Sequence, residues 1–160
     1  MLRLFRGMQR EKDGYFLRAE SLYNVASEID RLGDGLVDSY GGRSLHAQSH
    51  GESFMALALN RFRGQGLYIL DEPEAALSPS RQLAMLVLID QLVKDGGSQF
   101  VIATHSPILM AYPAATIYNL SAEGGIGPVD YEDTEHFRVT RDFLNNRQAY
   151  LGELLSDDPA

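Results

Sequence analysis

Two adjacent carboxylates, Asp71 and Glu72, follow the apolar run Leu67, Tyr68, Ile69 and Leu70 without a polar break, and Pro73 closes them off. Paired acids repel each other and resist burial, so a pair abutting an apolar strand has a cation or a proton to manage. The plainer alternative is an acidic turn after a strand. Two more polar clusters are placed to do chemistry: Ser49-His50-Gly51-Glu52 just ahead of an apolar segment, and Thr104-His105-Ser106-Pro107 just after a second apolar run. In the first, a serine hydroxyl, a glycine that lets backbone approach and a helix start make an anion site. The same atoms make a capping box, with Ser49 as N-cap and Glu52 three residues on, so the two uses compete. In the second, the His105 imidazole can donate to a phosphate oxygen while a neighbour orients its other nitrogen. Alone it would read as structural; following a strand beside the acidic pair, it reads as chemical.

These residues need elements to hold them. The run from Leu67 to Leu70 predicts a strand buried on both faces of a parallel sheet, which puts Asp71 and Glu72 where open α/β sheets hold ligands. Pro79 suits the first turn of a helix from Ser78 to Lys94, ended by Gly96-Gly97, and Gln99 to Ala103 forms a second buried strand. Strand, helix and strand make a βαβ unit, so the fold class is α/β. Upstream, Met1 to Arg10 alternates apolar and basic residues as a strand, and Tyr15 to Leu17 is another that ends at Arg18. An amphipathic helix runs from Glu20 to Leu32, residues 33–51 read as a loop, and a helix follows Ser49 as far as Arg63. Downstream, Thr116 to Leu120 is a strand, and Gly124 to Tyr131 hairpins back to extend the sheet edge. The tail from Asp133 is helical, with Asp157 to Ala160 frayed.

The 160 residues, 44% hydrophobic, suffice for one domain with a core, expected over 1–160. A formal net charge of −8 gives no support to a nucleic-acid partner. Absence of cysteine excludes disulfides and thiolate metal sites and fits a cytoplasmic protein. The longest apolar runs are of strand length and broken by charge, so no membrane segment is expected.

Taken in order, QSHGE before a helix, LDEP followed by ALSP, and ATHS after the next strand resemble the carboxyl-terminal half of an ABC-type nucleotide-binding domain. The likeness is to bacterial AAA-family ATPases related to the chromosome-maintenance ATPases, and it covers Gly14 to Leu120. It implies a P-loop NTPase-like parallel sheet flanked by helices, an ATP hydrolase, and ATP with Mg²⁺ as cofactors. By resemblance Asp71 is the Walker B aspartate on the metal side, Glu72 polarises the attacking water, and His105 is the switch histidine at the γ-phosphate. Phosphoryl transfer asks mainly for positioning and charge stabilisation, which two acids and an imidazole can divide. Ser49, Gly51 and Glu52 match the signature segment that reaches a partner's nucleotide in a dimer. They depart from the usual pattern at His50, where glycine is commoner, and at Glu52, where glutamine is. Ser78 stands where the D-loop usually has an aspartate, and Glu20 stands where a glutamine is kept.

No G-x-x-x-x-G-K-[ST] occurs in the sequence, and neither of its two lysines, Lys12 and Lys94, follows a glycine as that loop requires. The expectation is a partial domain, incomplete at its N-terminus, that lacks Walker A. Its implied partner is a second copy in a homodimer or an ATPase subunit that supplies Walker A. Two functions follow. Either the chain is the Walker B and signature half of an ATP hydrolase, inactive in isolation, or it is a non-hydrolysing interaction module that docks on a partner ATPase.

Overall fold

Burial alternates along the strands, which fixes how the sheet is used. The computed structural model describes residues 12–32, 44–121 and 125–156. The strand expected over Met1–Arg10, the loop residues 33–43 and the tail Asp157–Ala160 lie outside them. Two compact units are found, Met1–Thr104 and His105–Ala160.

In the first unit β1 (Asp13–Arg18) leads through a 3-10 turn, Ala19–Ser21, into α1 (Leu22–Leu32). After a second such turn, Leu45–Ala47, come α2 (His50–Arg61) and β2 (Gly66–Asp71). A third, Pro73–Ala75, precedes α3 (Pro79–Lys94) and β3 (Gln99–Ala103). The strands pair in parallel in the order β1-β2-β3, with Leu17, Leu70 and Ile102 in one register row and Phe16, Ile69 and Val101 in the next.

The core lies between one face of this sheet and the helices. Leu17, Tyr68 and Leu70 are at most 1% exposed, and Phe54, Leu57 and Ala58 of α2 and Met85 and Ile89 of α3 are buried with them. The opposite face is different: Phe16 is 62%, Ile69 38% and Val101 51% exposed. This corrects the expectation that Leu67 to Leu70 is buried on both sides, and equally the expectation of a buried strand over Gln99 to Ala103, no residue of which is fully buried. Right-handed crossovers that step the same way across a sheet put all their helices on one face, and β1 to β2 to β3 is such a series. Among the described residues of this unit no helix covers the other face.

The amino end of the sheet is tied down by aromatics. Phe62 stacks on Tyr68 with ring centroids 4.3 Å apart, and Phe100 lies 5.0 Å from Tyr68. The Tyr68 hydroxyl donates to Asp13 Oδ2 at 2.8 Å and accepts from the Gly64 N–H at 3.1 Å; Asp13 Oδ2 also accepts from the Arg63 N–H. Gly64 has φ +87°, a conformation that glycine adopts without strain, as it turns the chain from α2 into β2.

The second unit holds α4 (Pro107–Met110), β4 (Ile117–Ser121), β5 (Gly125–Val129), α5 (Glu135–Asn145) and α6 (Arg147–Leu154). Strands β4 and β5 pair antiparallel as a two-stranded sheet of their own, so the expected hairpin forms without extending the parallel sheet. Ser106 caps α4 by accepting from the Ile108 and Leu109 N–H groups. Thr134 caps α5, accepting from the Phe137 N–H while its hydroxyl donates to the Tyr131 carbonyl. The Tyr131 hydroxyl donates to the Pro107 carbonyl at 3.1 Å, which fastens the approach to α5 onto the first turn of α4. No helix among the described residues is long and apolar enough to cross a membrane.

Candidate active site at the carboxyl ends of the strands

Strand β2 delivers Asp71 to the carboxyl edge of the sheet, where its register partners are Arg18 of β1 and Ala103 of β3. Arg18 Nε donates to Asp71 Oδ2 at 2.6 Å. This bond, then the charge of Asp71 and the added charges of Glu20 and Glu72, hold the Arg18 guanidinium above its ordinary pKa. The Asp71 carboxylate therefore already accepts a cationic partner, which is the electrostatic demand that a metal would also meet.

Glu72 breaks the strand. It sits at φ 48°, ψ 52°, in the left-handed region that a non-glycine residue adopts only at a cost. Its N–H donates to the Ala103 carbonyl at 2.9 Å, one step beyond the ladder, and Pro73 then opens the 3-10 turn. Strain held in this way, between a ladder bond on one side and a proline turn on the other, is characteristic of sites where a side chain must be aimed. Glu74 braces the turn by accepting from the Thr104 hydroxyl at 2.7 Å. The Ala19–Ser21 turn that carries Glu20 packs beside the Pro73–Ala75 turn, so Glu20, Arg18, Asp71 and Glu72 share one edge of the sheet.

The Ser49 to Glu52 segment starts α2, and its capping box forms. Glu52 Oε2 accepts from the Ser49 N–H at 2.9 Å and from the Ser49 hydroxyl at 2.7 Å, while Oε1 lies 3.2 Å from Arg81. An anion at this helix start has to displace the Glu52 carboxylate from Ser49. Gly51 is buried, and a Cβ there would lie 2.9 Å from the Ala76 carbonyl oxygen and 2.7 Å from Arg81 Nη1. The glycine thus allows close packing on the segment Ala76-Leu77-Ser78 and on α3, a use that the sequence reading did not give it.

His105 belongs to the second unit, where its Nδ1 lies 2.9 Å from Nε2 of His136. The sequence reading left Arg18, Glu74, Arg81 and His136 out of the candidate set. Arg18 had a signal, since it ends a strand just as Asp71 does, and Glu74 stands close behind Glu72 in the sequence; the contacts of Arg81 with Glu52 and of His136 with His105 join residues far apart in the sequence, which no spacing reveals.

Magnesium takes one or two carboxylates together with phosphate and water oxygens, and needs no protein cage. No group of three or more metal-binding side chains occurs among the described residues, and the oxygen donors of Asp71 and Glu72 fit that requirement. The open cleft lined by Lys12, Asp13, Arg61, Arg63, Gly64 and Gln65 is at the amino end of the strands, away from these carboxylates.

Residues 19–111, more than half of the chain, match the family model described as "AAA domain, putative AbiEii toxin, Type IV TA system". The chain belongs to this AAA domain family. The matched span of the AAA domain takes in Glu20, Ser49, Gly51, Glu52, Asp71, Glu72 and His105. A curated relative, the thiamine import ATP-binding protein ThiQ of Cereibacter sphaeroides, is 33% identical over 92 residues. That similarity covers 57% of this chain and 38% of the relative, so the match spans well under half of ThiQ. Together the two place the chain among the AAA and ABC P-loop ATPases, whose general activity is ATP binding and hydrolysis with Mg²⁺.

Proposed function

We propose that this chain contributes the Walker B carboxylates, the signature segment and the switch histidine to an ABC-type ATP hydrolase whose phosphate-gripping loop lies on another segment. The observation that carries the reading is the edge of the sheet: Asp71 at the end of the central strand, then Glu72 in a left-handed conformation between a ladder bond and a proline turn. Asp71, whose Oδ2 now accepts from Arg18, would hold the metal through oxygen. Glu72 orients the attacking water and takes its proton. His105 donates to an oxygen of the transferred phosphoryl group. Mg²⁺ held on the Asp71 side would supply positive charge that offsets the charge of the phosphate oxygens. Ser49 and Gly51 present the start of α2 to the nucleotide of a partner, with Glu52 released from the cap as the phosphate enters. The partner is a second copy or an ATPase subunit bearing Walker A.

The exposed row Phe16, Ile69 and Val101 supports a second segment in either reading, since parallel sheets are ordinarily covered on both faces. It equally favours the alternative that the chain docks on a partner ATPase without hydrolysing anything. Phosphate release from MgATP by the chain together with its P-loop segment separates the two. Glu72→Gln is expected to lower turnover by about 100-fold or more while nucleotide binding persists. Normal turnover in that variant removes Glu72 from its role, and no turnover in the unaltered assembly favours the docking module.

A further inference from the structure

His105 and His136 come from elements 31 residues apart, yet their rings lie 5.0 Å apart between centroids and are tilted by 39°, with Nδ1 of the first 2.9 Å from Nε2 of the second. Both backbones are anchored. His105 directly precedes Ser106, which caps α4, and His136 is two residues past Thr134, which caps α5. The Tyr131 hydroxyl bond to the Pro107 carbonyl links those two helix starts within one compact unit. The contact is thus held by two caps and a cross-link, and it involves a residue outside the matched span 19–111.

We propose that His136 is a positioning residue for His105, fixing it in the tautomer that carries its proton on Nε2. The inference rests on the reading of His105 as a phosphate-facing residue. A neutral imidazole has one donor and one acceptor nitrogen, so a bond between two neutral rings needs one of each. Phosphate oxygens only accept. His105 must therefore offer N–H from Nε2, its Nδ1 must be the acceptor, and His136 Nε2–H must be the donor. The second ring does for His105 what an orienting partner does for any functional histidine: it selects the tautomer and fixes the ring plane.

Nuclear magnetic resonance on the 15N-labelled 160-residue chain tests the bond directly. The expected result is a scalar coupling across an N–H···N bond between the two rings, with the proton on His136 Nε2. A proton on His105 Nδ1, or no coupling, overturns the proposal. Hydrolysis by the chain with its P-loop segment tests the consequence. His136→Leu is expected to lower kcat by about 10- to 100-fold at unchanged KM for MgATP, the loss typical of removing an orienting group. His136→Gln, whose amide can still donate to Nδ1, is expected to restore most of it. Equal losses in both variants, or normal kcat in His136→Leu where His105→Ala is inactive, overturn the positioning role. Full activity in His105→Ala instead removes His105 from the catalytic reading, an outcome that leaves the coupling measurement to stand or fall by itself.

Discussion

Tyr68 shows how much one side chain can do for the sheet that presents the candidate site. Its ring packs in the core against both Phe62 and Phe100, which also touch each other, and its hydroxyl is held by Asp13 and the Gly64 N–H. Burial pushes the Asp13 carboxyl up, but the Tyr68 hydroxyl, the Arg63 and Gly14 N–H groups and the Arg61 charge together bring it below its usual value. Burial first, then the bond to Asp13, push the Tyr68 hydroxyl above its usual value. The depressed carboxyl contributes stability above its unfolded value of about 3.9, lost as pH falls through the folded value. The raised phenol contributes stability below its unfolded value of about 10, lost as pH rises through the folded value. Tyr68→Phe leaves Gly64 and Asp13 each short of a partner, and is expected to cost about 1–3 kcal/mol in urea unfolding at pH 7. The cost should shrink toward both extremes of pH; a uniform cost from pH 3 to pH 11 would show that the hydroxyl acts by packing alone.

At the scale of elements, the one-sided sheet makes a sharper prediction. Leu70 and Ile69 are neighbours in β2, yet one faces the core and the other does not. Leu70→Ala is expected to cost about 2–5 kcal/mol, because it opens a cavity in the buried core. Ile69→Thr and Val101→Thr keep a β-branched side chain on an exposed position and are expected to change stability by about 0.5 kcal/mol or less. Large losses from all three, by chemical denaturation, would mean that both faces are covered in solution. The sequence announced β2, α3 and β3 because apolar runs, Pro79 and Gly96-Gly97 are local signals, and it announced the capping box of Ser49 and Glu52 for the same reason. It could not announce the bare face. An apolar run such as Leu67 to Leu70 has the same composition whether one side or both are covered, and the difference lies in where the crossovers put their helices. The Arg18 bond to Asp71 and the His105 bond to His136 were hidden similarly, since strand register and helix docking bring together residues 53 and 31 positions apart.

For the whole molecule, the question is whether these 160 residues can grip a triphosphate by themselves, and the placement of the lysines decides it. On the proposed reading the phosphates lie beside Asp71 and Glu72, at the carboxyl ends of the strands, and a P-loop lysine has to reach them there. Lys12 immediately precedes β1, with its N–H bonded to the Gln65 carbonyl just ahead of β2. Lys94 ends α3 and is paired with Asp90 at 2.9 Å, a few residues before β3 begins. Both stand at the amino ends of parallel strands that rise about 3.3 Å per residue, so roughly 15–20 Å of sheet separates them from the carboxylates. Neither can replace the missing loop by a change of rotamer. The chain alone is therefore expected to release no phosphate from MgATP above background and to give at most weak binding heats in calorimetry. Supplying the P-loop segment should produce hydrolysis that Lys12→Ala and Lys94→Ala leave unchanged. Tight MgATP binding by the isolated chain, abolished by either lysine substitution, would place the phosphate grip at the amino end of the sheet and overturn the assignment of the nucleotide to the edge that carries Asp71.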